Sequence, residues 1–222
     1  PMEPWIDYEL PADLIAQEPL ENRADARLML IDRQQQAIDH YHIRDLPRLL
    51  RPTDRLVLND TKVIPAQLRG LRVETGGRWQ GLYLGQLEGG DWRLVCKTRG
   101  KLQPMDKIQL LDRDGKPSIV LWLLEKLPEG QWRAHPESEA DALAILQQLG
   151  RVPLPPYIRG GNMVDSDSVD YQTVYARNPG AVATPTAGLH FTERLLEALK
   201  QGGVEFSSVT LHVGMGTIRP IS

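Results

Sequence analysis

Apolar and polar positions change rhythm along the chain, and the changes mark out its elements. A short apolar run bounded by charges, Arg27-Leu-Met-Leu-Ile-Asp-Arg33, predicts a buried strand, and residues 34–37 turn it. Residues 38–43 alternate as a partnered strand does, 46–50 form a short helical turn ahead of Arg51-Pro52, and Arg55-Leu-Val-Leu-Asn59 predicts a second buried strand. After Pro65 the texture shifts to short segments punctuated by Gly and Asp. Strands are predicted at 66–73, 79–87, 92–97, 107–112, 118–123 and 131–135. Most of their connections have hairpin length and residues that tolerate positive φ, so sequential pairing is the economical topology. The exception is a longer basic loop at 98–106. Six short strands in about 70 residues suggest a barrel, which closes its own edges.

The spacing then becomes helical. Residues 137–149 predict a helix that ends at Gly150, and Pro153-Leu-Pro-Pro156 is a stiff, extended return to the first unit. An Asp-rich loop follows at 165–170. A helix is predicted over 192–203, with Thr192 as N-cap, Glu193 at its positive end and Lys200 in its last turn. A strand resumes at 204–212, giving a strand-helix-strand unit. The fold class expected is therefore α/β: a discontinuous larger domain with a mixed sheet, residues 1–64 and 151–222, and an inserted small antiparallel β-barrel domain, residues 65–150.

Composition supports a globular protein of one large or two small domains. The chain has 222 residues, 41% of them hydrophobic and 25% charged. Its longest apolar run, Ile119 to Leu124, is far short of the ~20 residues of a membrane-spanning helix, and no signal pattern opens the sequence, so a cytoplasmic protein without membrane contact is expected. Cys96 is the one cysteine, which excludes an internal disulfide and a multi-thiolate zinc site; a buried free thiol is expected. The net charge of −3 gives no global reason for a nucleic-acid partner, yet two basic windows, 44–72 and 93–107, could together face an anionic ligand. Scattered solvated charges are the alternative.

Three segments carry candidate chemistry. Asn59-Asp-Thr-Lys62 sits where a strand ends, the place where ligands bind in open α/β sheets. There Asp60 could accept from ribose hydroxyls or take a proton, and Lys62 could hold a phosphate or carboxylate; a simple Asx turn is equally compatible. The small-residue segment from Gly180 to Phe191, with Thr186, Gly188 and His190, leads into a capped helix and permits close backbone approach to a ligand. It carries neither a phosphate-loop nor a dinucleotide fingerprint. Thr210-Leu-His-Val-Gly-Met-Gly-Thr217 places His212 near a strand end. His190 and His212 are the natural general acid/base candidates, against the commoner role of a hydrogen-bonded core histidine. His40 and His42 share a strand face, but without a third ligand they make no metal site.

The motifs resemble a known family, the S-adenosylmethionine:tRNA ribosyltransferase-isomerases of queuosine biosynthesis. The resemblance runs from Tyr8-Glu-Leu-Pro11 and Leu14-Ile-Ala-Gln17 to the C-terminus. It is densest in Leu58-Asn-Asp-Thr-Lys-Val-Ile-Pro-Ala66, Pro153-Leu-Pro-Pro-Tyr-Ile158, Tyr171-Gln-Thr-Val-Tyr-Ala176, Pro185-Thr-Ala-Gly-Leu-His-Phe-Thr192 and Thr210-Leu-His-Val-Gly214. It implies transfer and isomerisation of the ribosyl part of S-adenosylmethionine onto the 7-aminomethyl-7-deazaguanine base at the tRNA wobble position. Adenine and methionine would leave and epoxyqueuosine-tRNA would form. S-adenosylmethionine is then a co-substrate, with no permanently bound cofactor and no metal, and the enzyme is expected to be a monomer whose partner is tRNA.

The resemblance marks motif members without assigning their roles; for that reaction the expectation is that His190 or His212 supplies the base, Asp60 and Thr186 orient the sugar, and Lys62 and Arg99 hold RNA phosphate. Asn59, Thr61, Tyr171, Gln172, Tyr175, Gly188 and Gly214 enter as substrate-binding members of the same motifs. The chain departs from the family pattern at Asp170, where arginine is expected, at Ile218 in place of Phe, and at Met105 in place of glycine. The first reverses a charge, and the other two read as packing changes. Family members continue well past the Gly-Thr-x-Arg-Pro motif, so the chain reads as a C-terminally truncated member with part of the active site missing. A non-catalytic tRNA-binding remnant is therefore the alternative. An S-adenosylmethionine-dependent methyltransferase fares worse, because no Gly-rich loop follows an early strand.

Overall fold

The structure, a computed structural model, describes residues 8–214. The Gly-Thr-Ile-Arg-Pro stretch with Ile218 lies outside the described residues. In chain order the elements are β1 (Arg27–Asp32), β2 (Ala37–His42), α1 (Leu46–Leu49), β3 (Arg55–Asn59), β4 (Thr61–Val63), β5 (Gln67–Arg72), β6 (Arg78–Gln86), β7 (Trp92–Thr98), β8 (Asp106–Leu111), β9 (Pro117–Lys126), β10 (Gln131–Pro136), α2 (Ala142–Leu149), α3 (Asp167–Asp170), β11 (Asn178–Ala181), α4 (Glu193–Gln201) and β12 (Glu205–Val209).

Strands β5 to β10 close into a barrel in the order β10-β7-β6-β5-β8-β9, all neighbours antiparallel. Each strand falls within three residues of its predicted span, because period-2 alternation is strong there: Trp79, Gly81 and Tyr83 point inward from β6, and Leu121 and Leu123 from β9. Pairing is not fully sequential. Two meanders, β5-β6-β7 and β8-β9-β10, join through β5–β8 and β7–β10, so the basic loop between β7 and β8 crosses over instead of making a hairpin. The inward Trp79 ring covers Gly81, where a Cβ would lie 2.2 Å from its Cη2. Cys96 is half-buried beside this core, and burial pushes its thiol up to about 12. Helix α2 caps the core with Ala142, Ile145, Leu146 and Leu149. It begins at Ala142 and not at 137, because Asp141 is the N-cap, its carboxylate accepting from Leu143 N at 2.9 Å.

Met105, at the end of the crossover loop, has φ +71°, the left-handed region that glycine enters freely. The Met-for-Gly departure is therefore a backbone matter and not a packing change.

Outside the barrel the α/β pairing is mixed in sense but divided among three two-stranded ribbons: β1-β2 antiparallel, β3-β12 parallel and β4-β11 parallel. Helix α4, with Thr192 as N-cap accepting from Leu195 N, buries Leu195 and Leu199 against Ile43 and Val204, and Leu28, Leu56 and Phe206 pack on this cluster. The expectation that β1 and β3 are buried strands fails. Their sheets are only two strands wide, and one face of each rests on α4, so among the described residues Met29, Ile31 and Val57 on the other face are 56–60% exposed. The Asp-rich segment is not simply a loop: Asp167–Asp170 makes a helical turn, fixed by buried Asp167 in a two-point ion pair with Arg159 (2.6 Å to each oxygen). No helix among the described residues is long and apolar enough to cross a membrane.

Candidate functional site

The chemistry-bearing residues gather into two neighbouring constellations. The first lies where β3 passes into β4. Asp60 is buried, and its Oδ1 accepts from Thr210 Oγ1 at 2.6 Å and from Asn178 Nδ2 at 3.1 Å. The Thr210 hydroxyl lowers the Asp60 pKa most; burial opposes it, and Asn178 and the Arg177 charge add to the lowering, so the carboxylate stays ionised. Asn59 spends its amide on the backbone of Leu211, donating to O at 2.9 Å and accepting from N at 3.0 Å. Thr61, 1% exposed, holds His212 Nδ1 at 2.7 Å through its hydroxyl. The imidazole lies against Gly180, whose added Cβ would meet the ring at 2.8 Å and whose φ of +151° disfavours a side chain.

These residues lock the 209–213 segment onto β4 and β11. Asn59 and Thr61, expected from sequence to bind substrate, spend their polar atoms here on backbone and on His212. The same holds for Gln172, whose amide donates to Val63 O at 2.7 Å and accepts from Val63 N at 3.1 Å, clasping β4 like an extra strand. Asp60 likewise serves as an anchor and does not line the cleft described next.

The second constellation is a cleft of about 620 Å³. One wall is the acid-rich N-terminal segment from Ala16 to Arg27; the others are 154–171 and the turn Thr186–His190. Tyr171, Thr186, Leu189 and His190 line it, so three of the residues picked from sequence meet there. Tyr171 is buried, and burial raises its phenol, which stays protonated at neutral pH. The N-terminal wall is strapped on: Gln17 donates to Tyr157 O at 2.9 Å and accepts from Arg159 N at 2.9 Å, while Arg23 donates to the carbonyls of Val169, Asp170 and Gln172. Asp170 sits 3.8 Å from Arg23, so the charge reversal is absorbed by an ion pair. Volume and an apolar lining with a few polar groups match a nucleoside-sized ligand.

Gly188 and Tyr175 stand behind this turn. A Cβ on Gly188 would come 2.1 Å from the Tyr175 hydroxyl, and Tyr175 meets Phe191 edge to face at 6.4 Å; they shape the turn and do not line the cleft. Lys62 is exposed and lines a smaller cavity of about 210 Å³ with Arg113. Arg99 is exposed on the barrel crossover loop, and Gly214 is exposed with open space where a Cβ would stand. Sequence reading missed Asn178, Arg23 and the Arg159–Asp167 pair, and read Gly180 as room for a ligand where the structure seats the His212 ring. Thr210 opened a quoted motif, but its partner is 150 residues away.

A family described as Queuosine biosynthesis protein matches residues 5–222. The chain belongs to this family. Among curated relatives, the S-adenosylmethionine:tRNA ribosyltransferase-isomerases of Staphylococcus saprophyticus and Staphylococcus aureus are each 43% identical over 217 residues, which is 98% of this chain and 62% of theirs. The chain thus spans under two thirds of the length of these relatives. A crystal structure of S-adenosylmethionine tRNA ribosyltransferase from Thermotoga maritima is 31% identical and covers 93% of this chain and 57% of its own, with a TM-score of 0.36.

Proposed function

We propose that the chain carries the ribosyl-donor half of a tRNA ribosyltransferase-isomerase, binding S-adenosylmethionine in the cleft under His190. The observation that carries this reading is the convergence of Tyr171, Thr186 and His190, from two separate family motifs, on one nucleoside-sized cleft. His190 is the better base of the two histidines. It lines the cleft with no recorded partner on its ring, whereas His212, equally exposed, has Nδ1 engaged by Thr61 and its ring against Gly180.

In this reading the sulfonium of S-adenosylmethionine acidifies the adjacent C5′ hydrogens, and His190 takes one of them. Elimination breaks the C4′–O bond, and collapse of the opened sugar to a C1′ aldehyde expels adenine and leaves a vinyl sulfonium; the amine of the 7-aminomethyl-7-deazaguanine base adds at C4′, the resulting C5′ ylide closes on C1′, and the new alkoxide displaces methionine from C5′ to give the epoxide of epoxyqueuosine-tRNA. Thr186 offers a hydroxyl to the sugar from the cleft wall, and Lys62 and Arg99 are exposed cations available to tRNA phosphate. A cytoplasmic location accompanies a tRNA substrate.

Adenine release from S-adenosylmethionine, with and without tRNA bearing the aminomethyl base, tests the reading. The wild-type chain should release adenine only with that tRNA, and His190→Ala should lower turnover by about 10²–10⁴-fold at unchanged substrate affinity, the range for loss of a general base. Full turnover by His190→Ala removes His190 from the mechanism. Binding of tRNA without any adenine release assigns the chain the tRNA-binding role alone.

A further inference from the structure

The charged side chains that line the cleft under His190 divide into those already engaged and those left free. Arg159 pairs with Asp167 at 2.6 Å, and its Nη1 donates to Gln17 O at 2.6 Å. Arg23 is spent on three backbone carbonyls and lies 3.8 Å from Asp170, while Asp25 pairs with Arg44. These contacts hold the walls of the cleft, and their opposite charges offset one another. Two charges remain. Among the described residues the Arg27 guanidinium and the Glu18 carboxylate, both exposed and both lining the cleft, make no ion pair and no side-chain hydrogen bond, with each other or with any other group.

Arg27 opens β1, just after the turn Arg23–Asp25, and that turn packs against the turn Thr186–His190. Its nearest acid in sequence, Asp25, is taken by Arg44, so no carboxylate among the described residues neutralises it. An uncompensated cation on the wall of a largely apolar, concave site directs a positive potential at whatever the site holds. S-adenosylmethionine has one group that answers it. Its sulfonium stands beside C5′, and a short carbon chain further on it carries an α-carboxylate, the acceptor that a guanidinium fork binds through two parallel hydrogen bonds. Arg27 issues from the wall beside the His190 turn, so with C5′ at His190 its long side chain suits the end of the donor that extends from the sulfonium.

We propose that Arg27 binds the α-carboxylate of S-adenosylmethionine and thereby fixes which end of the donor meets His190. This assignment rests on the proposed function and adds to it the recognition of the amino-acid end.

Equilibrium binding of S-adenosylmethionine and of its decarboxylated analogue, which keeps the nucleoside, the sulfonium and the ammonium group but lacks the carboxylate, tests it. The wild-type chain should bind S-adenosylmethionine about 10–100-fold more tightly than the analogue, the range for a hydrogen bond between charged groups. Arg27→Gln should lose that preference without losing affinity for the analogue. Arg27→Lys, which keeps the charge and loses the fork, should retain part of it. Arg27 is exposed, so both variants keep their fold, and an unchanged urea midpoint checks this. A wild-type chain without the preference, or an Arg27→Gln chain that retains it, overturns the assignment and leaves the donor cleft standing. Equal weakening of both ligands by Arg27→Gln overturns it as well, because the carboxylate is then not what Arg27 reads. If neither ligand binds the folded wild-type chain, the donor cleft itself is overturned, and the assignment falls with it.

Discussion

The barrel and the ribbon region solve the problem of stability differently. The barrel has no open edge, and its inward residues Leu68, Leu94, Ile108, Leu110, Leu121 and Leu123 are fully shielded. The ribbons have two strands each, with Leu195 and Leu199 of α4 as a small local core, and they are held as much by polar clasps as by burial. Gln172 on the β4 backbone, Asn59 on Leu211 and Arg23 on three carbonyls each tie together segments more than 100 residues apart. The cleft forms where such clasps meet. A region assembled from long-range hydrogen bonds leaves concave surface between its pieces, whereas this barrel's interior is filled by its own side chains.

The comparison breaks most visibly in the core. Leu121→Ala removes a side chain with no exposed surface from the barrel and should cost about 2–5 kcal/mol in urea unfolding, whereas Ile31→Ser on the open face of β1 should stay within about 0.5 kcal/mol. If the two losses were alike, the apolar face of the ribbon would be covered in solution, and the contrast between the regions would disappear.

A second substitution tests the clasps. Gly180→Ala places a Cβ 2.8 Å from the His212 ring at a φ of +151°, so the imidazole must leave Thr61 or the strand must shift. A loss of about 1–3 kcal/mol in the same assay is expected, along with a changed histidine ring signal by NMR. An unchanged His212 resonance would show that the ring is not seated on Gly180.

How much of this was legible in the sequence follows the same divide. Barrel strands announced themselves because inward Trp79 and Tyr83 alternate with outward residues in a period that only an extended strand produces. The β5–β8 and β7–β10 pairs did not, since nothing local says which edge a meander will meet. Burial of β1 was misjudged because an apolar run states what a strand can bury and not how wide its sheet is. At the site, motif reading picked out Tyr171, Thr186 and His190, which the fold brings to one cleft, along with Asn59, Thr61 and Gln172, whose polar atoms the fold spends on backbone and on His212. Short polar side chains in a motif look the same whether they grip a ligand or a distant backbone. Asn178 carries no local mark, and the motif that Thr210 opens says nothing of its partner; only folding brings both to Asp60.

The smallest effect concerns the barrel's single crossover. Met105 closes the loop between β7 and β8, and its N–H donates to Leu123 O at 2.6 Å while its φ is +71°. A non-glycine residue in that region carries roughly 1–2 kcal/mol of conformational strain, and glycine there relieves it while adding about 0.5–1 kcal/mol of chain entropy to the unfolded state. The side chain itself is exposed, so little packing is lost. Met105→Gly should therefore stabilise the chain by up to about 1 kcal/mol, read as a higher urea midpoint at unchanged slope. The hydrogen bond to Leu123 should survive, visible as slow amide exchange at position 105. A net destabilisation would mean that the methionine side chain holds the crossover from outside, and that the barrel, too, relies on a clasp where its strands cease to pair in sequence.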